Sequence, residues 1–228
     1  MHFFYSNDLS GEKIILPDEE VHHANVLRLN IGDKVSVLDG KGTVVQGNIS
    51  ILSKREIIIL KESSKFIDRS TPILSIALAP TKNIDRYEWF LEKATELGVQ
   101  YLIPIITHQS ERRQINVEKL NKKILGACKQ SGRAWIPELH LPISFASFVT
   151  QDFAGDKFIA HIAGKLLDEL VPDLKHLMNA LVCIGPEGDF TAEELNLAIK
   201  NGFKSISLGD YRLRTETAGL VMAAKLGL

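Results

Sequence analysis

Two glycine-bearing loops near the C-terminal end of the chain place the strongest constraint on its fold. The loop Gly185-Pro186-Glu187-Gly188 and the loop Leu208-Gly209-Asp210 each follow a short apolar run and precede a helical pattern. The carboxyl ends of parallel strands meet at one edge of an α/β sheet, and strand-to-helix loops at that edge commonly build small-molecule pockets. The sequence therefore predicts an α/β layer with a pocket formed by both loops.

The chain from Pro72 onward supports this prediction, because strands and helices alternate along it, as expected for a sheet covered by helices. The apolar runs predict strands near residues 73–79, 101–106, 158–162, 181–184 and 205–208. Apolar spacing of three and four residues predicts helices near 84–97, 117–128, 192–201 and 216–226. Thr191-Ala192-Glu193-Glu194 has the pattern of a capping box, which marks the start of the third of these helices.

The first 65 or so residues have a different pattern, which is typical of β structure. The β-branched runs 33–38 and 43–49 flank a glycine-rich turn and predict a hairpin, and residues 56–60 predict a further strand. Residues 18–29 predict a short helix. A polar segment ends at Pro72, so we predict two domains, residues 1–68 and 72–228.

Composition limits the classes of function. The formal net charge of the 228 residues is -1, so any contact with nucleic acid must depend on a local cluster of positive charge. The chain has no apolar run long enough to span a bilayer and no signal-peptide pattern at its N-terminus, which predicts a cytosolic protein without membrane association. Cys128 and Cys183 lie far apart and no closely spaced Cys or His ligands occur, so we predict reduced, buried thiols and no metal site.

Four motifs occur in a fixed order along the chain: HHANVLR at 22–28, EKATELG at 92–98, QSGR at 130–133, and IGPEGDF with LG and RLRTETA between 184 and 218. In this order they resemble the RsmE family of SPOUT methyltransferases, which modify N3 of a uridine in small-subunit ribosomal RNA. The resemblance implies an N-terminal PUA-like β-barrel and a C-terminal SPOUT domain threaded into a trefoil knot. It also implies a homodimer whose substrate is 16S rRNA in the small ribosomal subunit. The knot is implied by the resemblance alone, since knots are otherwise almost absent from proteins.

The resemblance implies that the glycine loops bind S-adenosylmethionine. Glycine allows close approach of backbone amides to a ligand, although the same loops could be tight turns required only by the fold. A dinucleotide or P-loop site lacks support, because neither glycine signature is present. The candidate cofactor-binding residues are His161, Gly185, Pro186, Glu187, Gly188, Leu208, Gly209, Leu213, Thr217 and Ala218.

The segment from Arg212 to Thr217 contains two of the three candidate catalytic residues, and the third is Arg133 of the QSGR motif. Uridine N3 carries a proton, so methylation requires its loss and stabilisation of the negative charge on O2 and O4. We predict that Arg214 or Arg133 stabilises this charge, and that Glu216 is a candidate proton acceptor, with water as the alternative. A surface salt-bridge cluster at the start of a helix is the competing interpretation.

A stretch of basic residues follows the second predicted strand and continues through the next helix. We predict that this local positive charge contacts RNA phosphates. The competing interpretation is a solvated helix face. The family pattern of a histidine followed by Val-Leu-Arg fits His22 or His23 with Arg28; position 2 is His, where the family often has an arginine. The candidate RNA-binding residues are His22, Arg28, Arg112, Arg113, Lys122, Lys123, Gln130 and Arg133.

Three alternatives remain open from the sequence. A related SPOUT enzyme could act on a ribose 2′-OH or on transfer RNA. A non-catalytic RNA-binding factor for ribosome assembly could share the fold, and the strand and helix pattern alone also fits a nucleotide-binding α/β protein without RNA.

Overall fold

The structure is a computed structural model that describes residues 2–171 and 176–227. The chain divides into two compact units. The first contains the chain up to Arg69 together with Leu125–Ile136, and the second contains Ser70–Ile124 and the chain from Pro137 onward.

The first unit is built on a five-stranded sheet. Its strands are β1 His2–Tyr5, β2 Lys13–Ile15, β3 Lys34–Leu38, β4 Thr43–Leu52 and β5 Ile57–Phe66, in the order β1-β3-β4-β5-β2. β1 lies parallel to β3, and the other neighbours are antiparallel. The predicted hairpin is confirmed as β3 and β4, and the predicted helix is confirmed as α1, Asp18–Val26.

The segment Leu125–Ile136 contacts this sheet although it is distant in sequence. It contains the last part of helix α3, Val117–Ser131. The Lys129 ammonium donates to the buried Glu20 carboxylate of α1 at 2.6 Å, and the Trp135 indole donates to the Ile67 carbonyl at 2.7 Å. The QSGR motif therefore belongs to the first unit, which chain continuity alone does not indicate.

The second unit is an α/β layer around a parallel sheet. Its strands are β6 Ile73–Leu78, β7 Tyr101–Ile106, β8 Glu138–Leu139, β9 Ile143–Ser144, β10 Asp156–Leu166, β11 Asn179–Ile184 and β12 Lys204–Ser207. The order is β12-β10-β11-β6-β7-β8, with β9 also on β7, and every pairing is parallel. The remaining helices are α2 Ile84–Glu96, α4 Phe145–Val149, α5 Leu167–Leu170, α6 Ala192–Lys200 and α7 Thr215–Gly227.

Local sequence signals explain the long elements of this unit. The Asn83 side chain caps α2 by accepting from the Asp85 amide, and both bonds of the predicted capping box are present at α6. Gly98 and Gly202 have positive φ values at the ends of these helices, which favours glycine there. All five predicted strands are confirmed, whereas β8, β9, α4 and α5 are too short to give a periodic pattern.

Other sequence expectations concern buried thiols and membrane spans. Cys128 and Cys183 are free and buried, and burial raises the pKa of Cys128 to about 12 and that of Cys183 further. Among residues 2–171 and 176–227, no helix is long and apolar enough to cross a membrane. The same residues contain no group of three His, Cys, Asp or Glu side chains that could hold a metal ion.

We predict that α7 requires glycine at position 219. A Cβ there would lie 2.6 Å from both Leu78 of β6 and Phe90 of α2. Gly219→Ala should therefore lower the free energy of unfolding by about 1–3 kcal/mol through overpacking. The matched control is Gly126→Ala, at an exposed position of α3 where a Cβ meets nothing within 4 Å, which should raise stability by up to about 1 kcal/mol. Denaturation followed by circular dichroism checks both, and equal shifts in the same direction would contradict the packing account.

Candidate active site

A cavity of about 400 Å³ lies in the second unit where β10, β11 and β12 present their carboxyl-terminal loops. The loop after β11 and the segment between β12 and α7 form most of its wall. Residues that line it are Arg86, Ala160, His161, Ile162, Ile184, Gly185, Pro186, Glu187, Asp189, Ser207, Leu208, Gly209, Tyr211, Arg212, Leu213, Arg214, Thr215 and Ala218. The volume falls in the range of small-molecule sites.

Hydrogen bonds join the two glycine loops. The hydroxyl of Thr215, the first residue of α7, donates to the Gly185 carbonyl at 3.0 Å, and this contact is buried. The Arg212 guanidinium donates to the Glu187 carbonyl at 2.5 Å. The Lys82 amide donates to the Glu187 carboxylate at 3.1 Å, so the loop after β6 is attached as well. The cavity wall is thus held by side-chain to backbone bonds between segments far apart in sequence.

An irregular section of β10 forms a further part of the cavity wall. Ala160 and Lys165 are both aligned with Ile206 of β12, so residues 161–164 bulge out of the ladder. A Cβ on Gly164 would lie 2.4 Å from the Ile206 backbone, which requires glycine at this close approach. The bulge carries His161, whose Nε2 is 3.9 Å from the Asp189 carboxylate.

The loop after β12 is shaped by Ser207 and Gly209. The Ser207 hydroxyl donates to the Gly209 carbonyl at 3.1 Å and accepts from the Gly209 amide at 3.3 Å. Gly209 has φ +123, a backbone conformation that favours glycine, and a Cβ there would meet no atom within 4 Å. The glycine therefore opens the cavity on this side.

Most of the candidate cofactor-binding residues are brought together. His161, Gly185, Pro186, Glu187, Leu208, Gly209, Leu213 and Ala218 all line the cavity. Gly188 and Thr217 are not among its lining residues. Gly188 lies against Gln109, since a Cβ there would be 3.0 Å from the Gln109 Cβ.

The three candidate catalytic residues lie in different surroundings. Arg214 is exposed at the cavity and makes no side-chain hydrogen bond or ion pair with the described residues. Glu216 is only 5% exposed, does not line the cavity, and lies 3.9 Å from the Arg86 guanidinium. Arg133 belongs to the first unit.

Sequence reasoning missed several residues of the cavity wall. Arg86 is on α2, about a hundred residues before the GPEG and RLRTETA segments, and no local pattern marks it. Thr215 stands inside the RLRTETA motif, and a hydroxyl at the first residue of a helix is the signal that could have identified it. Asp189 lies in the loop after β11 with a backbone φ of +65 and also lines the cavity. The sequence-predicted candidates of that loop were only its glycines, proline and glutamate.

The candidate RNA-binding residues of the second unit mostly have partners within the protein. Arg112 donates to the Thr81 and Lys82 carbonyls at 3.1 and 2.8 Å, and Arg113 donates to the His108 carbonyl at 3.3 Å. Two lysines are in ion pairs, Lys122 with Glu118 at 3.4 Å and Lys123 with Glu88 at 3.5 Å.

Glu88 of α2 forms ion pairs with two lysines of α3, Lys119 and Lys123. The Lys119 ammonium, which donates to the Glu88 carboxylate at 2.6 Å, holds the pKa of that carboxyl below its ordinary value. Part of the positive charge on α3 is therefore balanced by a carboxylate on α2.

The candidates in the first unit are also exposed or half-buried. His22 and Arg28 are exposed, and Arg28 has φ +52 where α1 ends. The side chain of His23 lies outside the described part of the chain. Gln130 is exposed and Arg133 is half-buried.

A larger cavity, of about 730 Å³, lies elsewhere in the second unit. It is near the amino ends of the strands, between Ser75, Tyr101 and Phe203, and its wall is mainly apolar. It contains none of the candidate residues. Because ligands of parallel sheets bind at the carboxyl ends of the strands, the smaller cavity is the better candidate for an active site.

Comparisons with known proteins agree with this fold. A model of the RNA methyltransferase domain matches residues 69–227, and a model of the RNA methyltransferase PUA domain matches residues 16–62. The chain is 30% identical to ribosomal RNA small subunit methyltransferase E of Rickettsia conorii, over 92% of this chain and 87% of that protein. It is 29% identical to the Aquifex aeolicus protein of the same name, over 96% and 95% of the two chains.

A solved structure of a relative has the same fold. The crystal structure of a ribosomal RNA small subunit methyltransferase E from Neisseria gonorrhoeae bound to S-adenosyl methionine is 29% identical and covers 99% of this chain and 96% of that chain, with a TM-score of 0.88. The expected fold class, a PUA-like N-terminal part followed by a SPOUT-type α/β domain, is confirmed, and the trefoil knot stays a prediction. The chain belongs to the ribosomal RNA small subunit methyltransferase E family of RNA methyltransferases.

Proposed function

We propose that this protein transfers a methyl group from S-adenosylmethionine to N3 of a uridine in 16S rRNA of the small ribosomal subunit. The observation that carries the proposal is the cavity in which the GPEG, LGD and RLRTETA segments meet in a chain of this family. The bound cofactor of the Neisseria gonorrhoeae relative supports the same choice of methyl donor.

The cavity suits this cofactor. Ile184, Leu208, Leu213 and Ala218 supply apolar wall for an adenine ring, and the open space at Gly209 admits a ligand close to the backbone. The Glu187 carboxylate at the rim is a favourable neighbour for a ligand with amino and sulfonium charges. When bound, the cofactor supplies an electrophilic methyl group, which requires no metal ion.

Arg214 is our candidate for stabilising the reacting uracil. Its guanidinium is exposed at the cavity and is not engaged by the described residues, so it can donate to the O2 or O4 atom of a base. Loss of the N3 proton places negative charge on these oxygens, and a cation held beside them lowers the barrier. Arg133, the second candidate, is proposed to contact the RNA.

The burial of Glu216 supports a positioning role for this carboxylate. Since Glu216 does not line the cavity and pairs with Arg86, which does, we assign it to holding the Arg86 guanidinium at the cavity wall. Glu216 is buried and the Arg86 side chain is 41% exposed, so loss of the guanidinium would leave a buried carboxylate without this partner, and the pair links α2 to α7. Water at the exposed mouth is then the proposed proton acceptor.

The residues that contact RNA, the oligomeric state and the cellular location are also proposed. The exposed His22, Arg28 and Gln130 of the PUA-like unit are suited to RNA contact, together with Arg112, Arg113, Lys122 and Lys123 of the second unit where their internal partners leave donors available. We propose a homodimer, as the family resemblance implies, and a cytoplasmic location, because assembled small subunits are the substrate.

Transfer of labelled methyl from S-adenosylmethionine to small subunits that lack this modification tests the proposal. We expect label in 16S rRNA and 3-methyluridine after digestion to nucleosides. A 2′-O-methylated nucleoside, or label only in transfer RNA, would replace the substrate assignment. Binding of small subunits without cofactor binding or transfer would favour the non-catalytic assembly factor.

Arg214→Ala should lower kcat by about 10²–10³-fold, the usual loss when one donor to a developing oxyanion is removed. Because the side chain is exposed and unpaired within the described residues, thermal stability should not change. Steady-state kinetics with small subunits and calorimetric titration of S-adenosylmethionine separate catalysis from cofactor binding. Lys200→Ala, exposed on α6 and outside the cavity, is the matched control; equal activity of both variants would contradict the assignment.

Glu216→Gln distinguishes the positioning role from proton transfer. If the carboxylate only holds Arg86, the variant should lose about 10- to 100-fold in kcat/KM through misplacement, with the pH dependence of kcat keeping its shape. If Glu216 accepts the N3 proton, the acid limb of the kcat profile should disappear. Arg86→Ala is the companion variant, and it should give a loss similar to that of Glu216→Gln, because both break the same pair.

A further inference from the structure

Tyr211 is an aromatic residue at the cavity that nothing in the reaction described so far uses. It lines the cavity, yet its side chain is 86% exposed. The phenol makes no hydrogen bond, ion pair or ring contact with any other described residue. Tyrosine normally buries much of its apolar body, so a ring left with both faces in water beside an active site is available for a ligand.

The backbone that carries Tyr211 is anchored on both sides. Before it, Ser207 and Gly209 are joined by two hydrogen bonds; after it, Arg212 is bonded to the Glu187 carbonyl and Thr215 to the Gly185 carbonyl. The main chain at residue 211 is therefore held at the rim while its side chain stays unpacked. A ring on a fixed support loses little conformational freedom when it stacks, since only two side-chain torsions must be ordered.

The surroundings of Tyr211 favour a base of the RNA over the cofactor. The enclosed apolar wall of the cavity is formed by other residues, among them Ile184, Leu213 and Ala218, two of which are buried. A side chain that is 86% exposed lies outside this enclosed part. The neighbouring Arg214, also exposed, is the group proposed to contact uracil oxygens, so a base that reaches Arg214 passes the rim on which Tyr211 stands.

We propose that Tyr211 stacks on the target uracil and holds it in the plane in which its oxygens meet Arg214. Single-stranded RNA bases are commonly recognised by stacking on aromatic side chains, and a base must leave its own stack before its ring nitrogen can react. Tyr211 is thus a substrate-binding residue of the methyl transfer. The inference rests on the proposed function, since it requires a uridine as the substrate.

The test compares Tyr211→Phe, Tyr211→Leu and Tyr211→Ala in methyl transfer to small subunits. Stacking on an aromatic ring contributes about 1–3 kcal/mol per base, so the Leu and Ala variants should lose about 5- to 150-fold in kcat/KM. The Phe variant keeps the ring and should stay within about twofold of the unmodified protein. The dissociation constant for S-adenosylmethionine, measured without RNA, should be the same in all four proteins.

The control is Ile199→Ala, which truncates an apolar side chain of the second unit that is 48% exposed and outside the cavity. Its kinetics should match those of the unmodified protein. Light scattering and thermal denaturation of each variant should show unchanged mass and stability.

Each contrary result identifies what fails. Equal kcat/KM for Tyr211→Ala and the unmodified protein would overturn the inference while leaving the methyl transfer intact. Weaker S-adenosylmethionine binding in Tyr211→Ala would place the ring on the cofactor instead, and a changed molecular mass would place it between subunits. Loss in the Phe variant equal to that in Ala would assign the effect to the hydroxyl. Absence of uridine methylation by the unmodified protein would reject the proposed function itself, and the inference with it.

Discussion

The buried hydrogen bond from the Thr215 hydroxyl to the Gly185 carbonyl is the contact on which the geometry of the candidate active site depends. It joins the first residue of α7 to the loop that leaves β11, two segments that come from different ends of the motif region. Because Arg214 immediately precedes Thr215, the same bond holds the backbone from which the Arg214 side chain extends. A buried carbonyl would otherwise lack this partner, so the bond both satisfies the backbone and positions the start of α7.

Many basic side chains of this protein are paired with acceptors in the same unit. The net charge of -1 conceals a basic stretch, and the structure shows that much of this stretch is engaged by carboxylates and carbonyls of the same unit. Arg112 in particular bonds to two backbone carbonyls of the loop after β6, which makes it part of the scaffold around the cavity. Affinity for RNA then depends on a small number of available cations, and their positions contribute more than total charge.

The sequence predicted the long elements of the fold well, because their signals are local. Apolar spacing, the Thr191 capping box and the glycines after helices identify α2, α6 and the strands between them, whereas the Asn83 cap of α2 is seen only in the structure. It could not predict the bulge at residues 161–164 or the place of Leu125–Ile136 in the first unit, since both depend on contacts with distant residues. The site divides in the same way: adjacent motif residues meet in the cavity, whereas the pairing of Glu216 with Arg86 is a property of the folded chain.

The contrast between the buried and the exposed residues of RLRTETA bears on the catalytic role proposed for Arg214. Thr215 and Glu216 are packed inside, while Arg214 stands in water, where a charge interacts only weakly with a nearby anion. When RNA covers the rim, water is excluded and the same guanidinium acts in a lower effective dielectric, where its interaction with a developing negative charge is several times stronger. In the role proposed for Arg214, the exposed guanidinium therefore becomes effective only after the RNA has docked. A solvent-exposed cation stabilises the negative charge on a base only weakly until water is excluded. A site of this kind therefore favours reaction of a base that is correctly placed.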